Sequence, residues 1–216
     1  MYRIGYVNAN SLPDRKFAQA ICLLEKSFDI LFIAEHWYLH HENRLSHPLV
    51  HCSTTPPLRS NQCPPRGRQH AGIYLMVKPH IRPLILSTTS TAHSITVSLP
   101  GLHFAAVYYP AYSIQEDGIK HSLNTIGPVD LLLGDIHTTF PSAPTLTTTR
   151  SHSSSTARSL LFQTWAVKYN MIHIQDDSQK AKSYKIPDHV FASVLLRSNV
   201  TLSLLSTQSL QFKTDH

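Results

Sequence analysis

Apolar residues fall in short runs along this 216-residue chain, and these runs alternate with amphipathic segments. Short apolar runs bounded by turn-forming residues predict buried strands, whereas apolar residues spaced three and four apart predict helices. Strands are predicted at residues 3–8, 29–34, 72–78, 94–99, 103–109, 129–134, 171–175, 189–196 and 199–206. Helices are predicted at residues 14–28, 115–126 and 157–170. Because the helices are too few to follow every strand, we expect an α/β (α+β) protein whose sheets pair mostly antiparallel strands, with helices outside.

The pattern within two of these elements predicts which side is buried. Residues 94–99 alternate strictly between polar and apolar, which predicts a strand with one face open to solvent or only partly covered. In the helix predicted at 157–170, helical spacing assigns the inner face to Leu160, Leu161, Trp165 and Tyr169.

Two segments lack such periodicity and are predicted to be loops. Residues 42–70 contain five prolines and are expected to form a long surface excursion. Residues 142–159 are rich in Ser and Thr with few apolar residues, which predicts a mobile loop. Since neither repeats nor a domain boundary is visible, residues 1–216 are expected to form a single domain that ends at the terminal Asp-His motif.

Composition narrows the class of partner. Hydrophobic residues make up 42% of the chain and charged residues 15%, which is typical of a globular protein with a substantial core. The formal net charge of +6 favours a polyanionic partner, although an ordinary basic protein would show the same balance. The three cysteines have neither zinc-site nor disulfide-framework spacing, which fits an intracellular compartment. No apolar run approaches the length of a membrane span.

Polar residues stand at the ends of several apolar runs, although Asp and Glu together number only 13. They are Asn8, Glu35, Asp135 and Asp188, with Asp215 near the last residue. A carboxylate near a core is costly unless a partner or a metal holds it. We therefore expect one convergent site around a hard cation. Each of these residues, taken singly, could instead have a structural role, as part of a surface ion pair, a turn or a frayed terminus.

Six motifs follow one another in a specific order. They are Asn8-Ala-Asn10, Ala34-Glu35-His36-Trp37, Val107-Tyr108-Tyr109-Pro110, Leu133-Gly134-Asp135-Ile136-His137, Ile186-Pro187-Asp188-His189-Val190-Phe191-Ala192-Ser193 and Thr214-Asp215-His216. This series resembles the endonuclease/exonuclease/phosphatase superfamily, also called DNase I-like. Within it, the chain most resembles the apurinic-type endonuclease domains of LINE-type retrotransposons. The resemblance implies a four-layered sandwich, with two mixed β-sheets packed face to face and helices outside.

The resemblance also implies Mg²⁺-dependent (or Mn²⁺-dependent) phosphodiester hydrolysis with a set of matched residues. Glu35 would be the principal metal ligand, with Asn10 beside it and Asp215 close to the ion. The residues that would act on the phosphate or the water are Asn8, Tyr108, Asp135, His137, Asp188 and His216. In this scheme Asp135 orients or deprotonates the attacking water, Tyr108 bonds a phosphate oxygen, and Asp188 orients the His216 imidazole.

Two departures from the family pattern predict a weak or inactive enzyme. His137 stands where the family usually has Asn, and imidazole is larger than the amide and can carry charge. The sequence also stops at His216, so the predicted catalytic imidazole would carry the terminal carboxylate and lack a following strand. Small misplacements of such a group cost heavily in rate.

Three functions remain open at the level of sequence. The first is a retroelement-derived DNA endonuclease that nicks DNA by activated-water attack and would act in the nucleus. The second is a catalytically dead, nucleic-acid-binding remnant of the same fold. The third is a phosphatase of the superfamily acting on lipid or inositol head groups. Arg59, Arg66 and Arg68 in the predicted loop favour nucleic acid over a small head group.

Overall fold

The computed structural model describes residues 2–36, 42–54, 72–110, 114–138, 153–174 and 188–196, without the side chains of 42, 43, 153–156 and 188. The strands are β1 (Ile4–Asn8), β2 (Ile30–Ala34), β3 (Val50–Ser53), β4 (Ile73–Val77), β5 (Ser87–Ser90), β6 (Ser94–Leu99), β7 (Leu102–Tyr108), β8 (Leu131–Asp135), β9 (Met171–Ile174) and β10 (Asp188–Ser193). The helices are α1 (Asp14–Ser27), α2 (Glu42–Leu45), α3 (Glu116–Ile126) and α4 (Ser153–Lys168).

The described strands form two mixed sheets. Sheet A has the order β1-β2-β4-β3, and its one parallel pair among the described strands is β1–β2. Sheet B has the order β5-β6-β7-β8-β10-β9, with β7–β8 as its parallel pair in the same part of the chain. Antiparallel pairing therefore predominates, as the sequence pattern predicted.

The main core lies between the two sheets. Alternate residues of β2 take part in it, and the rings of Phe32 and Phe104 meet edge to face at 5.9 Å. Leu31 and Ile33, the intervening residues of β2, pack in the cluster that contains the inner face of α1. Because β2 is buried on both faces, its sequence is a continuous apolar run rather than an alternating one.

Helices cover the outer faces of both sheets. Leu24 of α1 packs in one cluster with sheet A. The buried residues of α1 recur at helical spacing and form one apolar face. On the other side, Leu123 of α3 and Trp165 of α4 pack in one cluster with Val107 and Leu132 of sheet B. The order is helix, sheet, sheet, helix, and the predicted four-layered sandwich with two mixed sheets is confirmed. Among the described residues, no helix is both long and apolar enough to cross a membrane.

The prediction of a partly covered strand at 94–99 was wrong. Every residue of β6 except the half-buried Ser98 is buried. The alternating pattern gave the wrong exposure for the polar face, because small hydroxyl side chains can be buried when they are hydrogen-bonded. Ser94 provides the example, since its hydroxyl lies 2.8 Å from that of Thr91.

The inner face of α4 is also different from the prediction. Phe162 is fully buried, whereas Leu160 is 61% exposed. Trp165 is buried as expected, and Leu161 and Tyr169 pack at the margin of the same cluster.

Both predicted loops contain regular structure within the described residues. α2 and β3 lie inside 42–70. β3 forms despite the nearby prolines because it pairs with β4. α4 begins at Ser153, inside the segment predicted as a mobile loop. β5 was not predicted, since Ser87–Ser90 has no apolar residue to mark it. The strand predicted at 199–206 lies outside the described residues.

Candidate active site

Three strand ends of sheet B meet in one row. Tyr108, the last residue of β7, is the register partner of Asp135, the last residue of β8. On the other side of β8, Asp135 is the register partner of Asp188, the first residue of β10. Three of the predicted site residues are therefore neighbours along one edge of sheet B.

Two strand ends of sheet A face that row. Asn8 ends β1 and pairs with Ala34, so Glu35 leaves β2 at the same edge. This follows from the parallel pairing of β1 and β2, because the carboxyl ends of parallel neighbours lie at one edge of a sheet. Asn8 and Glu35, which are separated by helix α1 in the chain, are brought side by side.

The Asn8 side chain joins the two sheets at this point. Its Nδ2 donates to Glu35 Oε1 at 2.9 Å and to Asp135 Oδ2, also at 2.9 Å. All three residues are buried, with exposed fractions of 2% for Asn8, 7% for Glu35 and 0% for Asp135. Two buried carboxylates that lie far apart in the chain thus share one neutral amide.

The turn after β1 is held from both sides. The Asn10 backbone amide donates to Asn8 Oδ1 at 3.0 Å, which orients the Asn8 amide so that its nitrogen faces the carboxylates. Lys16 Nζ of α1 donates to the backbone oxygens of Ala9 at 2.5 Å and Asn10 at 3.3 Å. Helix α1 therefore anchors the segment that carries both asparagines.

Left-handed backbone conformations are concentrated at the site. Asn10, Glu35 and His137 have φ values of 42°, 54° and 47°. Such conformations cost of order 1–3 kcal/mol for a residue other than glycine and persist only where surrounding contacts enforce them. This strain is an independent indication that the strand ends are shaped for a function.

Tyr108 is buried beside both carboxylates. Burial, the charge of Glu35 and a hydrogen bond to the Glu35 carboxylate all raise the pKa of Tyr108, with a further contribution from Asp135. The phenol is therefore neutral and acts as a hydrogen-bond donor at physiological pH.

His137 lies directly against Asp135. Its Nδ1 is 2.7 Å from Asp135 Oδ1, and its backbone amide donates to the same oxygen at 3.2 Å. Burial alone would lower the pKa of His137, but the hydrogen bond with Asp135 and the charges of Asp135 and Glu35 raise it above its ordinary value. Each Asp135 oxygen thus has a protein partner.

The donor set fits a hard divalent cation. Within the described ranges, no three His, Cys, Asp or Glu side chains gather as a metal-binding group. Glu35 supplies a buried carboxylate, the Asn10 backbone lies in the turn next to Asn8, and a magnesium ion held by one or two protein ligands keeps several waters. Glu35 is buried and accepts hydrogen bonds from Asn8 and Tyr108, and a bound cation would further offset the cost of burying its charge.

Three predicted residues cannot be placed in this geometry. Asp215 and His216 lie outside the described residues, and so does the side chain of Asp188, whose backbone alone is positioned. The roles assigned to them from the resemblance remain predictions.

Two residues near the site were missed by the sequence reasoning. The Tyr6 hydroxyl lies between β7 and β8 and bonds to the backbone of both. The buried guanidinium of Arg158 donates to three backbone oxygens just beyond β7 and β8, those of Tyr109, Pro110 and Ile136. Neither stands in a motif, and no periodicity distinguishes them from other aromatic or basic residues.

Similar solved structures share this fold. The endonuclease domain of TRAS1, a telomere-specific non-LTR retrotransposon, superposes with a TM-score of 0.57 at 11% identity and covers 92% of this chain and 88% of its own. The 3′ phosphatase NExo from Neisseria, bound to a product DNA hairpin, gives 0.54 at 14% identity and covers 92% and 89%. The AP endonuclease LMAP from Leishmania major gives 0.56 at 10% identity and covers 91% and 80%.

The chain therefore has the endonuclease/exonuclease/phosphatase, or DNase I-like, fold. No protein-family model matches the sequence, and no curated protein matches it either. At such low identities the likeness establishes the fold, and the chemistry depends on the residues of this chain.

Proposed function

We propose that this protein is a metal-dependent phosphodiesterase that nicks DNA by attack of an activated water. The observation that carries the proposal is the pair of buried carboxylates, Glu35 and Asp135, joined by the Asn8 amide where the two sheets meet. Two acids would not be expected to lie buried side by side merely to build the core, because removing their carboxylates from water costs much free energy.

Glu35 and Asn10 would hold the metal, with Asp215 as the further ligand that the family resemblance suggests. A bound magnesium or manganese ion supplies Lewis-acid stabilisation of the negative charge that develops on the phosphate oxygens. The protein then has to hold the phosphodiester and the water in line, and the strained, hydrogen-bonded strand ends are suited to that task.

The remaining residues have complementary proton-transfer and hydrogen-bonding properties. Asp135 would accept a proton from the attacking water, and Asn8 keeps that carboxylate in place. Tyr108, held neutral by its raised pKa, would donate to a phosphate oxygen. Asp188 and His216 would form the carboxylate–imidazole pair, in which the carboxylate fixes the tautomer of the ring.

Two further facts favour DNA as the substrate. The chain has a net charge of +6, which attracts a polyanion. Among the proteins with the same fold are a retrotransposon endonuclease domain and a phosphatase bound to a DNA hairpin. A retroelement origin and action on chromosomal DNA in the nucleus belong to the same proposal.

A specific contact favours a second candidate, a DNA-binding protein with little or no turnover. His137 and Asn8 engage opposite oxygens of Asp135. With both of its oxygens engaged by the protein, this carboxylate is less free to contact an attacking water. We therefore expect a low turnover number rather than the full rate of an optimised nuclease.

A plasmid-nicking assay with magnesium tests the proposal. The wild-type protein should convert supercoiled plasmid to the open-circle form, and Glu35→Gln and Asp135→Asn should each lower the rate at least 100-fold. Glu25→Gln, an exposed acid on α1, is the matched control and should cut at the wild-type rate.

Each alternative function predicts a different result. Salt-sensitive DNA binding without metal-dependent nicking would identify the binding protein. Release of inorganic phosphate from a head group, with the plasmid left intact, would identify the phosphatase. Nicking that persists unchanged in Glu35→Gln would refute the assigned metal ligand.

A further inference from the structure

Tyr6 connects the two sheets directly behind the candidate site. It lies in β1 of sheet A, and its hydroxyl donates to the backbone oxygen of Val107 in β7 at 3.1 Å. The same hydroxyl accepts a hydrogen bond from the backbone amide of Asp135 at 3.1 Å. One phenolic oxygen therefore bonds to two adjacent strands of the opposite sheet.

The backbone of β8 is irregular immediately before Asp135, where Gly134 has a φ of 159°. At Gly134 the main chain of β8 comes so close to β7 that an added Cβ would lie 2.1 Å from the Val107 backbone oxygen. After this close approach the Asp135 amide bonds to Tyr6, while the Asp135 carbonyl accepts from the Tyr109 amide at 2.9 Å. The strand pairing thus holds the Asp135 carbonyl, and Tyr6 holds its amide.

Tyr6 and Asn8 act from the same strand. Residues two apart in a strand project to the same side, and both of these reach Asp135. Asn8 bonds the carboxylate and Tyr6 bonds the backbone amide of the same residue. Together they hold Asp135 at two points, which restricts rotation as well as displacement.

We propose that Tyr6 is a positioning residue that sets the place of Asp135 relative to Asn8 and Glu35 across the gap between the sheets. Its effect on nicking rests on the function proposed above, whereas its effect on the Asp135 backbone does not. Small displacements of a catalytic group lower the rate steeply, so a hydroxyl that never touches the substrate can still govern turnover.

Tyr6→Phe is the variant that tests this, because it removes the hydroxyl and keeps the ring. The Asp135 amide should exchange with solvent deuterium at least tenfold faster, whereas the amide of Leu133, in the middle of β8, should be unaffected. The turnover number for nicking should fall about tenfold with KM changed less than twofold. Tyr169→Phe, which removes a hydroxyl at the end of α4, is the control for both measurements.

The outcomes separate positioning from general stability. Equal acceleration at Asp135 and Leu133 would mean that the hydroxyl merely stabilises the fold, and this would overturn the proposal. Unchanged exchange at Asp135 would also overturn it, whatever the nicking rate. Faster exchange at Asp135 with an unchanged turnover number would refute the catalytic consequence of the contact.

The test remains decisive in two unfavourable cases. If the wild-type protein does not nick DNA, the proposed function fails, while the exchange comparison still decides whether Tyr6 holds Asp135. If Tyr6→Phe does not fold, the wild-type protein provides the answer. Its Asp135 amide should then be as protected as that of Leu133, and rapid exchange at Asp135 would refute the contact.

Discussion

Asn8 illustrates how much a single neutral side chain contributes to this site. An asparagine amide carries two hydrogens, and Asn8 gives them to two different carboxylates. Aspartate at this position would bring a third negative charge, and alanine would leave both acids without this donor. The requirement is therefore for the amide itself, which explains why a polar, uncharged residue ends β1.

Half-buried His173 and buried His189 form a pair that gives the fold a pH dependence of its own. His173 Nε2 lies 2.9 Å from His189 Nδ1, and His189 Nε2 lies 2.9 Å from the Thr138 backbone oxygen. Since a carbonyl can only accept, His189 Nε2 carries a proton and its Nδ1 accepts from His173. Burial, and secondarily the charge of His189, lower the pKa of His173 to about 4.

We expect this pair to destabilise the fold in acid. The His173 pKa is lower in the folded state than the ordinary value of 6.5, so its contribution to stability is complete above that value. The contribution is lost as the pH falls from 6.5 towards 4. His173→Gln should therefore lose less stability between pH 7 and pH 5 than the wild-type protein, as measured by urea denaturation.

His121, an exposed residue of α3, provides the comparison. His121→Gln should keep the wild-type pH dependence. The same loss of stability in His173→Gln and His121→Gln would contradict the assignment.

At the scale of elements, α4 is the helix that holds the strand ends of sheet B. Arg158 donates to the backbone oxygens of Tyr109 at 3.3 Å, Pro110 at 3.2 Å and Ile136 at 3.1 Å. Three carbonyls that have left the strand pairing are thereby bonded to one fixed guanidinium. The helix is bonded to the backbone next to both Tyr108 and Asp135.

Replacing Arg158 should loosen this junction. Arg158→Met leaves buried carbonyls without their donor and should lower the free energy of unfolding by about 3 kcal/mol. Arg158→Lys keeps the charge but not the planar fork, so its loss should be smaller. Urea denaturation measures both.

Lys168→Met, at the exposed end of the same helix, is the control and should change stability by less than about 0.5 kcal/mol. An Arg158→Met variant as stable as Lys168→Met would show that the carbonyl contacts contribute nothing net.

The elements also show where sequence patterns are reliable. β2 and α1 were predicted within two residues of their bounds, because β2 is one uninterrupted apolar run and α1 has one clear helical periodicity. The face of α4 was rotated in the prediction, since several apolar residues compete along it. The buried hydrogen bond from Trp165 Nε1 to the Leu123 backbone oxygen, at 3.2 Å, helps to orient the helix, and this contact depends on where α3 lies.

At the scale of the whole molecule, the candidate site exists only where the sheets meet. Sheet A contributes Asn8 and Glu35, and sheet B contributes Tyr108 and Asp135. The Asn8–Asp135 hydrogen bond joins residues 127 positions apart. The geometry of this edge therefore depends on how the two sheets pack.

Magnesium should consequently stabilise the folded protein. A ligand that binds only the folded state, present at about ten times its Kd, adds about 1.4 kcal/mol, which corresponds to a rise in Tm of roughly 3–6 °C for a chain of this size. Thermal melts with and without magnesium should show this rise in the wild-type protein and in Glu25→Gln. The Glu35→Gln variant should not show this rise in Tm. A rise of equal size in that variant would mean that the ion binds elsewhere.

The sequence by itself determined the fold class and the order of the polar residues that end the strands. Both depend on local information, namely the spacing of apolar residues and the residue types beside them, so a pattern along the chain is enough to predict them. Only the tertiary structure decided that Asn8 bonds two carboxylates, that Tyr6 supports Asp135 and that Arg158 holds the strand ends. These contacts join residues about 20 to 130 positions apart, and their geometry depends on how two sheets and a helix pack.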